Sequence, residues 1–109
     1  MAAGRSVLIA SEDPFEHDAS RLHALAIQLR RAGHEVTLFL VQNAVLAARA
    51  TCARSGLPAL REAAVEILAD DFSLRERGIA ALELHSAVNA APLYVVIQLL
   101  AAGRKALWT

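Results

Sequence analysis

The chain has 109 residues, 56% of them apolar and only 20% charged, with eleven basic residues against eleven acidic ones. That is the size of one domain with one core, and an apolar share above the usual ~45–50% leaves surface that self-association would bury. The balanced charge, with no basic run and no aromatic–basic interleaving, gives nucleic-acid binding no electrostatic support, no apolar stretch approaches the ~20 residues of a membrane span, and a single cysteine, Cys52, excludes an internal disulfide or a cysteine-based metal cluster.

The opening MAAGRSVLIASEDP has an apolar run too short for a signal peptide, and charge follows it at once, so the expected location is cytoplasmic. Within it, Ser6–Ala10 (SVLIA) reads as a buried strand. Asp13 then reads as a helix N-cap, with Pro14 at the first helical position and Glu16 completing a capping box. The predicted helix runs to about Ala32, with Phe15, Ala19, Leu22, Leu25, Ala26 and Leu29 on one face and Gly33 as its stop.

Val36–Val41 (VTLFLV) reads as the second strand, and Asn43 as the cap of a second helix from Ala44 to about Arg54. Ser55, Gly56 and Pro58 break the chain before a short helical piece at Ala59–Ala63. Val65–Ala69 reads as the third strand, and Ser73 as the cap of a helical turn closed by Gly78. Leu82–His85 reads as a further helical turn, and Ala87–Val88 as a very short strand. Pro92 opens an apolar helix to about Ala102, stopped by Gly103, and Lys105–Trp108 (KALW) reads as a last strand.

Continuously apolar strands alternating with helices imply a parallel sheet covered on both faces. The expected fold is a three-layer α/β/α sandwich with a mostly parallel sheet of four or five strands, one domain over residues 1–109. Ligands of such sheets bind outside the carboxyl ends of the strands. Those ends carry Ser11, Glu12 and Asp13, then Gln42 and Asn43, then Asp70, Asp71 and Ser73. With His17 these residues form the candidate pocket.

Three stretches carry a resemblance to a known family. The run RRAGHEVTLFLVQNAVLAA has a helix ending at Gly, a strand, and a polar pair before an apolar run. VEILADDFSLRERGI has a strand, a short turn and an Arg-Gly-apolar ending, and AAGRKALW closes the chain as a strand. Their order and spacing over nearly the whole chain resemble the DsrE/DsrF-like family of sulfur-relay and sulfur-oxidation proteins. The resemblance implies a homo-oligomer, a trimer or hexamer, with sulfur-relay proteins as expected partners. It also implies a persulfide-carrying cysteine eight residues before Gly78, the glycine of the VEILADDFSLRERGI stretch. In this chain that residue is Asp70, and a second cysteine position, five before the glycine, is Ser73. A carboxylate cannot carry a persulfide, so no catalytic residue is assigned. Were the chain an enzyme, the resemblance would make it sulfurtransferase-like.

Each candidate has a functional and a structural reading. Asp70 and Asp71 would bind a cation or a basic partner segment; otherwise Asp71 or Ser73 caps the short helix and Asp70 is solvated, removable for under about 1 kcal/mol. If Glu12 faces Asp70 across the strand ends, the converging carboxylates suit magnesium or calcium. The metal is left unassigned and no cofactor is expected, since no phosphate-binding glycine pattern occurs. His17 is the site histidine; His34 reads as turn decoration, and His23 and His85 as surface or interface residues. Cys52, between Arg49 and Arg54, is a reactive thiol, and so a third choice as sulfur carrier, or a half-buried helix residue. Arg75, Glu76 and Arg77 form a recognition surface or a solvated face.

A rival from another class is the magnesium-dependent phosphoacceptor receiver, with Glu12, Asp13, Asp70 and Lys105 in the key places. Against it, Lys105 enters the last strand rather than following it, and the sequence ends at Thr109 before a final helix. The leading reading is a DsrE-like protein without the persulfide cysteine, a non-catalytic oligomeric binding or partner subunit. A module binding a small ligand or cation through strand-end carboxylates is the alternative.

Overall fold

Five strands form in chain order: β1 (Arg5–Ala10), β2 (Glu35–Leu40), β3 (Glu66–Asp70), β4 (Val88–Ala91) and β5 (Lys105–Trp108). The computed structural model describes residues 4–16, 18–52, 56–101 and 105–108. The sheet order is β4-β3-β2-β1-β5, and every neighbouring pair is parallel. The first and last strands of the chain therefore lie side by side, with Ser6 opposite Lys105 and Ile9 opposite Trp108.

Alternation along each strand divides the apolar residues between two faces. Leu8, Leu38, Leu40, Ile67 and Ala69 belong to one core cluster. It is closed by α1 (Ser20–Arg31), a 3-10 helix (Gln42–Ala48), α2 (Leu57–Glu62) and α3 (Asp71–Glu76). Val7, Ile9, Phe39 and Leu68 form the other cluster, which α4 (Tyr94–Ala101) meets through Val96. Thus β1 to β4 advance across the sheet with their helices on one side, and α4 carries the chain back over the other. This is the expected three-layer sandwich, with five strands.

Two predicted helix starts are corrected. The first helix begins at Ser20, not at Pro14. The Asp13 carboxylate accepts the Phe15 N–H at 2.7 Å, and Glu16 N–H donates to the Asp13 carbonyl at 3.2 Å, which closes a turn instead of a capping box. Phe15 is consequently 55% exposed instead of facing the core. Asn43 caps no α-helix: the segment is 3-10, and it ends in strand-like pairing. His85 N–H donates to the Ala48 carbonyl and Ala50 N–H to the Glu83 carbonyl, both at 2.8 Å, around an Arg49–Leu84 bridge. The expected helix does not continue past Ala48, since Arg49 to Cys52 form the bridge and a turn; its expected end at Arg54 and the expected stop at Gly103 lie outside the described residues.

Three of the helices return to the sheet through one kind of turn. A residue with positive φ follows the helix: Gly33 (92°), Ala64 (64°) and Gly78 (66°). In each, the next N–H reaches back to a leucine carbonyl: His34 to Leu29, Val65 to Leu60 and Ile79 to Leu74, at 2.9–3.0 Å. Arg30 ties two of these turns together, donating to the carbonyls of Ala64 (3.3 Å) and His34 (3.2 Å).

Ala64 is the odd member, an L residue held where glycine sits in the other two. The left-handed conformation costs a non-glycine residue about 1–2 kcal/mol, and the greater freedom of unfolded glycine offsets about 0.4–1 kcal/mol of the relief. Ala64→Gly is expected to stabilise the fold by about 0.5–1 kcal/mol in denaturant unfolding, with an unchanged slope.

Candidate functional site

The structure divides the predicted pocket into two separate groups. The first is at the end of β3. Asp70 is 6% exposed, and its Oδ2 accepts the Ser73 hydroxyl at 2.6 Å and the Ser73 N–H at 3.1 Å. It is the N-cap of α3. The assignment of the cap to Asp71 or Ser73, and of Asp70 to solvent, is therefore corrected: an aspartate where a buried strand passes directly into a helix finds its acceptors' partners in the first helical turn. Ser73 Oγ in turn accepts the Gln42 N–H at 2.9 Å, and Gln42 holds a positive φ of 51°. The strand-end carboxylate and serine thus fasten β3 to the exit of β2. Asp70 Oδ1 is buried with no hydrogen-bond partner among the described residues.

Asn43 and Arg77 extend this group. Arg77 donates to Asn43 Oδ1 through Nε (3.1 Å) and Nη2 (2.9 Å), and to the Ser73 carbonyl through Nη1 (3.2 Å). Arg77 is therefore neither a free recognition residue nor a solvated one; it pins the end of α3 to the 3-10 helix. Asp71 sits in the first turn of α3, favourable to the helix dipole, with Arg75 at 3.8 Å in an exposed pair.

The second group is a cleft of about 470 Å³ at the carboxyl ends of β1 and β2. Ala10, Leu40, Ala44, Ala47 and Leu57 give it apolar walls; Glu12, Glu16 and Asp18 give it an acidic rim. Of the predicted pocket residues that are described, only Glu12 lines it. Asp13 is engaged in its own turn, and His17 lies outside the described residues. Glu12 and Asp70 do not meet in this cleft, and no three His, Cys, Asp or Glu residues among those described are placed to hold a metal ion.

His23, read from sequence as a surface or interface residue, lines the cleft. Its ring lies against the backbone of Gly56, where an added Cβ would come within 2.6 Å of Nδ1. Burial pushes its pKa down and Asp18 opposes the shift, so the neutral imidazole is favoured. With a folded-state pKa below the unfolded one, His23 opposes folding as pH falls through the range between them. Asp18 is held below its usual value by hydrogen bonds from Ser20, first the N–H at 2.9 Å, then the hydroxyl. The one sequence signal for His23 was its place at the edge of the helix stripe, beside Leu22 and one turn before Ala26.

His34 is half-buried against Gly4, not a turn decoration. His85 accepts the Ala87 N–H at Nδ1 (3.0 Å). Cys52 is an unpaired, half-buried thiol whose N–H donates to the Arg49 carbonyl at 3.0 Å; it follows a turn, not a helix. Arg54 lies outside the described residues.

No protein-family model and no curated protein matches the chain. Solved structures do. The ychN protein from E. coli superposes with a TM-score of 0.85 at 23% identity, over 97% of this chain and 99% of its own. BT1422, a conserved protein of unknown function from Bacteroides thetaiotaomicron, gives 0.80 at 14%, over 96% and 94%. MTH1491, a protein of unknown function from Methanobacterium thermoautotrophicum, gives 0.78 at 19%, over 97% and 99%. At these identities the likeness is one of fold. The strand order also differs from the 2-1-3-4-5 order of receiver-type sheets, so Glu12, Asp13 and Asp70 do not occupy that architecture.

Removing the Asp70 carboxylate deletes a cap, worth about 0.5–2 kcal/mol, and strands buried partners on Ser73, at about 1–3 kcal/mol. Asp70→Ala is therefore expected to cost about 2–3 kcal/mol in chemical denaturation, whereas Asp70→Asn, which keeps an acceptor oxygen, is expected to cost under half as much. Equal losses in the two variants would show that the hydrogen bonds are not what holds this strand end.

Proposed function

We propose that the chain is a DsrE-like protein whose sulfur-carrying position has become a structural one, and that it serves as a non-catalytic, oligomeric binding or partner subunit in cytoplasmic sulfur metabolism. The observation that carries the reading is the burial of Asp70, whose Oδ2 accepts both the N–H and the hydroxyl of Ser73, while Ser73 Oγ accepts the Gln42 N–H. The position equivalent by resemblance to the reactive cysteine has no thiol and no open approach. The test is incubation with a persulfide donor followed by intact-mass measurement. No reducible sulfur adduct is expected; efficient addition at Cys52 would make the chain a sulfur carrier instead.

Self-association is the second part of the reading. Leu93, Tyr94 and Ile97 stand 50%, 58% and 64% exposed at or on α4, the helix covering the second face of the sheet. A second copy burying them accounts for the exposed apolar surface. Light scattering after size exclusion is expected to give a trimer or hexamer; a single species near the 11.6 kDa chain mass at micromolar concentration would refute it. Among the described residues no helix is long and apolar enough to cross a membrane.

The small-ligand alternative is favoured by one observation, the cleft at the ends of β1 and β2. In that version the strand-end carboxylates act through Glu12 and its neighbours, and Asp70 takes no part.

A further inference from the structure

We propose that the cleft at the carboxyl ends of β1 and β2 binds a small aromatic alcohol, a phenol in chemical class, with its ring against the alanine–leucine walls and Phe15 and its hydroxyl at the imidazole of His23. The proposal rests on the small-ligand alternative, with the walls and His23 holding the ligand in place of the rim acids. It is independent of the fate of the sulfur position. The persulfide and light-scattering results stand whether or not the cleft is occupied.

The cavity comes first. Its volume of about 470 Å³ lies within the usual range for small-molecule sites. It opens where β1 and β2 end, the edge at which parallel sheets bind ligands. Ala10, Leu40, Ala44, Ala47 and Leu57 line it. Whatever part of a ligand lies against these side chains gives up water and gains no hydrogen bond from them, so that part is apolar.

Two ring side chains set the rest of the ligand's chemistry. Phe15 lines the cleft and is 55% exposed, a large apolar surface that the core does not cover. The Asp13 carboxylate accepts the Phe15 N–H at 2.7 Å, which fixes the backbone that presents this ring. A flat aromatic partner meets such a ring offset or edge to face, and gains more than its buried area alone provides. His23 is the other ring. Its Nδ1–Cε1 edge lies nearest Gly56, where an added side chain would collide with it. Nε2 is turned away from that contact and is the ring nitrogen left for a ligand. Burial favours the neutral imidazole, in which one nitrogen donates and the other accepts. A hydroxyl both donates and accepts, so it suits Nε2 in either tautomer, where a carbonyl suits only one.

The experiment titrates the full chain with phenol and with naphthol, its two-ring counterpart. Two controls separate the parts of the ligand: cyclohexanol keeps the hydroxyl and loses the aromatic ring, and toluene keeps the ring and loses the hydroxyl. Amide chemical shifts report location and affinity, and the ring-nitrogen shifts of His23 report the hydroxyl contact in the unmutated chain. Saturable amide shifts are expected around Ala10, Ala47 and Leu57, with naphthol tighter than phenol and phenol about two- to tenfold tighter than cyclohexanol. The His23 Nε2 resonance is expected to move far more with phenol than with toluene. Phe15→Ala changes an exposed side chain and is expected to weaken phenol about two- to tenfold and cyclohexanol less. Non-saturating shifts with all four compounds would overturn the small-ligand reading itself. Saturable binding in which cyclohexanol matches phenol, or in which the His23 nitrogen answers phenol and toluene alike, would keep the cleft as a site and overturn its assignment to a phenol.

Discussion

Parallel strands cannot be joined by a tight turn, and most of what this chain does follows from that constraint. Every strand must end in a crossover, and every crossover must stop and re-enter the sheet at the same edge. The re-entry is handled by one device used three times, a left-handed residue followed by an N–H that reaches back to a leucine carbonyl. Two of those leucines, Leu60 and Leu74, and the residues after their turns, Val65 and Ile79, are buried, so each turn fixes the register of the helix against the next strand as it closes. The exits are less uniform. Each strand's carboxyl end faces a different neighbour, and polar side chains there have to be satisfied one by one.

That difference explains why the acids that follow β3 and β1 have unlike fates. Asp70 is buried, and a buried carboxylate without donors is costly. Ser73 and Gln42 provide the order around it, and the positive φ of Gln42 is the strain accepted in bringing its N–H to Ser73. Glu16 and Asp18 stand exposed at the rim of a cleft, Asp18 accepting the Ser20 N–H. Position in the sheet, not residue type, separates a structural acid from a candidate binding one.

Four of the strands were legible because a sheet covered on both faces writes continuous apolar runs: VLIA, VTLFL and EILA carry their burial in the text, and KALW matches the last strand residue for residue; β4 (VNAA), buried only at Val88 and Ala91, was read as Ala87–Val88. The helix starts were not, because local chemistry competed with the pattern. Asp13 is as good a turn former as a helix cap, and the next residues gave both answers equal support. The 3-10 segment was hidden for a different reason. What ends it is pairing of Ala48 and Ala50 with His85 and Glu83, and nothing near Ala48 in sequence announces partners so far along the chain. Asp70 was nearer to hand: strand, aspartate and helix follow without a gap, and only the choice of Ser73 as cap obscured it. His23 depends on the missing side chain of Gly56, a relation between α1 and the start of α2 that periodicity does not contain.

The alanine-rich composition also reads differently once the residues are placed. From sequence, the apolar excess pointed outward, to surface that a second copy would bury. Part of it does lie outward, at Leu93, Tyr94 and Ile97. But Ala44 and Ala47 are nearly fully buried and still border open space, because a methyl group fills so little of the volume between a strand end and a helix. Protein interiors are close-packed, and a wall of alanines beneath a strand edge is one of the few ways for a small domain to keep a cleft without breaking its core. The same residue that lets a short helix pack closely on the sheet thereby leaves room beside it. A leucine at either position would reach into that room, and the fold would gain apolar contact at the expense of the cleft.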